Sequence, residues 1–179
     1  EHNSTLNISV HTGQDEEAIQ LWHVIGTNTE GYHIEMETCY DIEILKDHPV
    51  LWRYNYPAVQ LYFNGSTSSP DELIVQLYEK HQQVTDAWIP FHQYFNPQLP
   101  LRKLLMSSHG LLANGPTILL KEYADIAAAC GVTVSTGAKK IRLYWNGEAR
   151  VPCPEGLKAV IIGNSYVVAE KFEVQRINN

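Results

Sequence analysis

The chain has 179 residues, 44% hydrophobic and 18% charged, which is the composition of a folded domain and excludes a disordered polymer or a helical membrane span. Its 13 basic and 20 acidic residues leave a net charge of −7, and the densest basic group is only Lys139, Lys140 and Arg142. That argues against nucleic acid or an anionic membrane as a general partner, because neutralising phosphates needs concentrated positive charge.

In chain order, residues 1–16 read as a polar, partly ordered N-terminal segment. Ala18 to Ile25 is rich in β-formers, the polar stretch Gly26 to Gly31 reads as a loop, and Tyr32 to Leu45 alternates apolar and polar residues as one long strand. Lys46 to Pro49 reads as a turn, because Pro49 lacks an N–H and Asp47 can bond its own backbone. Val50 to Tyr56 fits either a strand or a helical turn, and Ala58 to Asn64 a strand. Ser69, Pro70, Asp71 and Glu72 form a capping-box pattern that opens a helix to about Trp88. Its apolar stripe is Ile74, Leu77, His81, Val84 and Trp88, continuing to Phe91 and Phe95 with a bend at Pro90. Ser107 to Pro116 reads as a loop between helices. A second helix follows Pro116, buries Leu119, Leu120, Tyr123, Ile126, Ala127 and Cys130, and stops at Gly131. Ile141 to Trp145, Leu157 to Ile162 and Tyr166 to Val174 read as strands. The expected fold is one α+β domain over residues 1–179, with a mainly antiparallel sheet from the N- and C-terminal strands packed on a central two- to three-helix segment.

LYFNG at residues 61–65 returns as LYWNG at 143–147. A duplication would extend the match on both sides. Here one copy runs into a capped helix and the other into a strand, so the echo reads as turn chemistry used twice: aromatic strand ends followed by an Asn-Gly turn. Strand alternation sends Leu61 and Phe63 inward and Gln60, Tyr62 and Asn64 outward, and in the second copy sends Arg142, Tyr144 and Asn146 outward. The two outward sets could form one polar, aromatic binding surface if their strands are neighbours, or could simply pack under a helix.

Five other groups invite chemistry. His33, Glu35, Glu37, Cys39, Asp41 and Glu43 alternate along one strand face, a spacing that could gather two or three ligands on a cation. A solvated acidic face meeting Lys140, Arg142 or Lys171 explains them better, and no metal is expected. Ser107, Ser108, His109 and Gly110 before a helix start could hold an anion at the N–H groups of the first turn. They could also offer a histidine-activated serine oriented by Asp125, although neither signal has motif spacing. His81, with His92 on the same side, could be a cleft acid or base, but a histidine inside an apolar stripe reads first as a satisfied core residue. The fourth is a run of aromatics, Trp52, Tyr54, Tyr56, Tyr62 and Phe63, which suits a core layer or a recognition surface. Last, the cysteines Cys39, Cys130 and Cys153 are odd in number and lack metal-ligand spacing, which favours a reducing, cytoplasmic compartment.

The resulting expectation is a soluble, non-catalytic binding or adaptor module without a cofactor, using Tyr62, Asn64, His81, His109, Arg142 and Tyr144 toward a small polar ligand or a protein partner, with self-association left open. The alternative is a small hydrolase with a cleft around His81 and His109.

Overall fold

The computed structural model describes residues 4–11, 19–35, 41–145, 148–152 and 156–177. Along the chain run β1 (Ser4–His11), β2 (Ile19–His33), β3 (Glu43–Leu45), α1 (Pro49–Asn55), β4 (Ala58–Asn64), α2 (Pro70–Thr85), a 3-10 turn (Phe91–Tyr94) and α3 (Leu101–Leu105). They continue with β5 (His109–Pro116), α4 (Thr117–Ala129), β6 (Thr133–Thr136), β7 (Leu143–Trp145), β8 (Arg150–Pro152), β9 (Lys158–Ile162) and β10 (Ser165–Ile177). The fold is α+β and its sheets are antiparallel. The chain divides into two compact units: Glu1–Leu51 with Pro154–Asn179, and the continuous stretch Trp52–Cys153. No helix among the described residues is long and apolar enough to cross a membrane.

In the first unit the strands from both ends of the chain form one sheet, ordered β1-β2-β10-β9-β3. Its buried residues include Leu157, Ala159 and Val160 near and along β9 and Val167, Val168 and Ala169 on β10. These two strands form a hairpin in which Ile162 faces Ser165, and Gly163, at φ +53°, supplies the left-handed conformation at the first loop position. Two expectations change here, and a third gains detail. The stretch 26–31 is not a loop, because β2 runs through it and pairs with β10, taking up one extra residue where the register shifts at Val168/Ala169. Gly26 is there for close approach: a Cβ would lie 3.0 Å from Ser4 Oγ and 3.2 Å from Phe172. Residues 32–45 are not one strand, since β2 ends at His33 and β3 pairs with β9, three places away in the sheet. The segment 1–16 contains β1, which pairs with β2 from Ser4 opposite Gly26 to His11 opposite Ile19.

The second unit has its own sheet, ordered β5-β4-β6, with β7 and β8 as a separate pair. The ambiguous stretch 50–56 is helical, as α1. Val59, Leu61 and Phe63 of β4 point into a core shared with Leu73 and Leu77 of α2 and Leu119, Leu120, Tyr123 and Ala127 of α4. Each fully buried leucine contributes about 2 kcal/mol of hydrophobic stabilisation, so this layer holds the sheet's inner face against the helices.

The helix ends explain where side chains lie. Ser69 does not cap α2 with its side chain. Glu72 instead accepts from Gln76 Nε2 at 3.5 Å, and Asp71 is bound by Arg102 Nε at 2.8 Å, so the acids stabilise the first turn from outside. The stripe on α2 is Leu73, Leu77, His81 and Thr85, with Ile74 and Val84 half-buried, and the helix stops three residues before Trp88. Thr85 Oγ1 donates to the His81 carbonyl at 2.8 Å, and Asp86 (φ +47°) and Ala87 (φ +61°) then turn left-handed. The α4 stop at Gly131 (φ +76°) is as expected: Val132 N–H reaches Ala127 O and Gly131 N–H reaches Ala128 O, both at 3.0 Å. The stretch expected as a loop before α4 is mostly strand: β5 becomes one by pairing with β4 along its whole length.

Candidate functional site

Paired residues in an antiparallel ladder share a face, so the register of β5-β4-β6 dictates what its outer surface offers. One row reads His109, Asn64, Thr133 and the next Leu111, Tyr62, Ser135. Asn114 lies opposite Gln60 in a third row. A bulge at Leu61/Tyr62 makes this possible, since Leu112 is the extra residue on β5 and returns His109 and Leu111 to the outer face. Tyr62, Asn64, His109, Asn114, Thr133 and Ser135 are exposed, with Tyr62 at 37%. Tyr62 donates its hydroxyl proton to Gln60 Oε1 at 3.1 Å, and His109 Nδ1 lies 3.1 Å from Ser108 Oγ. The surface is therefore a set of polar donors and acceptors around one aromatic ring.

At the β5 side of this surface lies a hollow of about 490 Å³, within the range of small-molecule sites. Pro90, Pro97, Tyr94 and Phe95 form its apolar walls, and His92, Gln93 and Asn114 supply polar groups. Asn114 belongs to both the hollow and the sheet face. Tyr94 fits there because residue 115 is glycine: a Cβ would stand 2.8 Å from the tyrosine ring. Phe95 is bridged to Ala113 of β5, and Asn96 Nδ2 donates to the Leu111 carbonyl at 3.1 Å.

His81 supports this wall from beneath. Its Nε2–H donates to the Ile89 carbonyl at 2.6 Å, which leaves Nδ1 to accept from the Tyr123 hydroxyl at 2.7 Å. The ring is fully buried, and burial lowers its pKa, with the Ile89 carbonyl acting in the other direction. Burial, reinforced by Tyr94, also pushes the Tyr123 phenol up, so it stays protonated. Phe91 meets His81 edge-on at 5.5 Å, and Phe95 stacks on Tyr123 at 5.0 Å. Phe91 lies between the lining residues Pro90 and His92, and Phe95 is itself one of the walls.

Of the six residues singled out in the sequence, the sheet brings Tyr62, Asn64 and His109 together. His81 sits in the core beneath the hollow. Arg142 places its guanidinium 4.6 Å from the Tyr54 ring centre, and Arg53 lies 5.1 Å from the same ring. Tyr144 is on β7, opposite Val151, and β7 does not pair with β4. The two LY(F/W)NG strands are thus not neighbours in a sheet, and Asn146 lies outside the described residues. The first copy is no hairpin either: Gly65, at φ +101°, leads from β4 toward α2.

Asp125, the proposed orienter of His109, is 3.6 Å from Lys121 on α4. In the acidic row, His33 Nε2 contacts Glu35 at 2.9 Å, and the Glu35 backbone N–H donates to Ser165 Oγ at 2.8 Å. Glu37 and Cys39 lie outside the described residues, as does Cys153. Among the described residues no three His, Cys, Asp or Glu side chains converge as a metal site.

Sequence reasoning missed Gln93, Tyr94 and Asn114 as a set, as well as Thr133 and Ser135. The available signals were an aromatic-polar run between Pro90 and Pro97, and a β-branched Thr-Val-Ser-Thr stretch directly after a helix stop. No family model, curated protein or solved structure matches the chain, so its role has to be read from the chemistry of these side chains.

Proposed function

We propose that the protein is a non-catalytic binding module that takes up a small, uncharged polar ligand on the outer face of β5-β4-β6 and in the hollow beside it. One observation carries the reading: the ladder gathers Tyr62, Asn64, His109, Thr133 and Ser135 on one exposed face, and Asn114 connects that face to the hollow. Such a surface offers hydrogen bonds of both senses and an aromatic platform, the mixture that fixes orientation in small-molecule sites. A hydrolase has less support. Both nitrogens of His81 are committed inside the core, and Asp125 is on α4 beside Lys121 rather than behind His109. An enzyme needs a nucleophile, a base and an orienting group in reach of one another.

A thermal-shift screen against uncharged polar compounds tests the proposal. A ligand at 100 times its Kd stabilises the folded state by about 2.7 kcal/mol, which is easily seen as a rise in Tm. The shift should shrink in Tyr62→Ala and in Asn114→Ala, both exposed positions. Hits whose shifts survive both substitutions would place binding elsewhere and refute the reading.

A further inference from the structure

We infer that the hollow beside β5 is a site for a planar, uncharged heterocycle with a donor and an acceptor on one edge, such as a nucleobase or nucleoside. This rests on the reading of the protein as a small-ligand binding module and adds the class of ligand. Gln93 and Asn114 each carry an amide, with a donor and an acceptor fixed in one plane. The complementary partner is an edge with the same pair in reverse order, which is how Asn and Gln read adenine. Tyr94 and Phe95 give the walls ring surface for a flat ligand, and bases stack on aromatic side chains regardless of sequence.

Among the described residues the lining contains no lysine or arginine, and His92 is the only side chain there that can carry positive charge, while the chain's net charge of −7 disfavours a phosphate. The base or nucleoside is therefore the ligand, not the nucleotide. The site is also set in advance. The His81–Ile89 hydrogen bond at 2.6 Å anchors the chain just before Pro90, and the stack of Phe95 on Tyr123 at 5.0 Å holds its far wall. A ligand meets walls that need little ordering, which favours affinity.

The experiment titrates the isotope-labelled protein with adenosine, adenosine monophosphate and methyl glucoside, and follows backbone amide shifts by NMR. Adenosine should give saturable shifts at Tyr94, Phe95, Asn114 and Gly115. Its affinity should fall about tenfold in Asn114→Ala and in Gln93→Ala. Both positions are exposed, and an unchanged spectrum elsewhere shows that the variants fold. The monophosphate should bind no more tightly than adenosine. Tighter binding of the monophosphate, or adenosine shifts indifferent to both substitutions, overturns the inference. If methyl glucoside shifts the hollow and adenosine does not, the heterocycle is wrong and the binding module stands. If no probe shifts either the hollow or Tyr62, the heterocycle falls, and the module then rests on the wider screen.

Discussion

His81 is closed on both sides, by a carbonyl through Nε2 and a phenol through Nδ1, and burial favours the neutral ring in this position. Protonation would present a second N–H to the Tyr123 hydroxyl and bury a charge between Phe91 and Tyr123. The consequence for pH has a definite sign. Burial holds the folded-state pKa below the ordinary 6.5, so between the two values the unfolded chain binds the extra proton. The stabilisation is complete above about pH 6.5 and is lost as the pH falls through the folded pKa. Urea denaturation at about pH 7.5 and about pH 5 should show a smaller loss on acidification in His81→Gln than in the wild-type protein. Equal losses would mean that His81 does not titrate between the states. At neutral pH the same variant should be the less stable, because a buried donor or acceptor left without its partner costs about 1–3 kcal/mol.

The end of α2 decides where the walls of the hollow begin. Thr85 closes the helix, Asp86 and Ala87 reverse the chain, and Ile89 comes back over His81. Ala87 pays a steric penalty at φ +61° that glycine would not. Ala87→Gly should therefore raise stability by about 0.5–1 kcal/mol, read as a higher urea midpoint at unchanged slope, and a lower midpoint would show that this backbone is not strained. Elements of this kind were only partly legible in the sequence. The α4 boundaries, β4 and the β9–β10 hairpin could be read because their signals are local: a proline at the start, a glycine at the stop, strict alternation. Residues 26–31 could not, because they are made a strand by β10, as the Asn28–Glu170 hydrogen bond across 142 residues illustrates. The capping box is not made because its groups find other neighbours: the Ser69 N–H donates to Thr67 Oγ1 and Glu72 accepts from Gln76. At the site, the outward direction of Tyr62 and Asn64 followed from alternation. Their pairing with Leu111 and His109 depends on a bulge, which no periodicity reveals.

At the scale of the molecule, the two units differ in how the chain supplies them. Trp52–Cys153 is continuous and carries its own core, whereas the other unit needs both Glu1–Leu51 and Pro154–Asn179. A chain cut after Cys153 should keep the continuous unit protected in limited proteolysis and lose protection before residue 52. Equal cleavage throughout would show that Trp52–Cys153 does not fold without the rest. Strand order adds a consequence in time. β10 is the middle strand of its sheet, with β2 and β1 on one side and β9 and β3 on the other, and it follows all four of them along the chain. Until residues 165–177 leave the ribosome, β2 and β9 have no partner on the side that β10 will fill. Unpaired edges are templates for aggregation, so the nascent chain is most vulnerable in the interval between the emergence of β9 and that of β10.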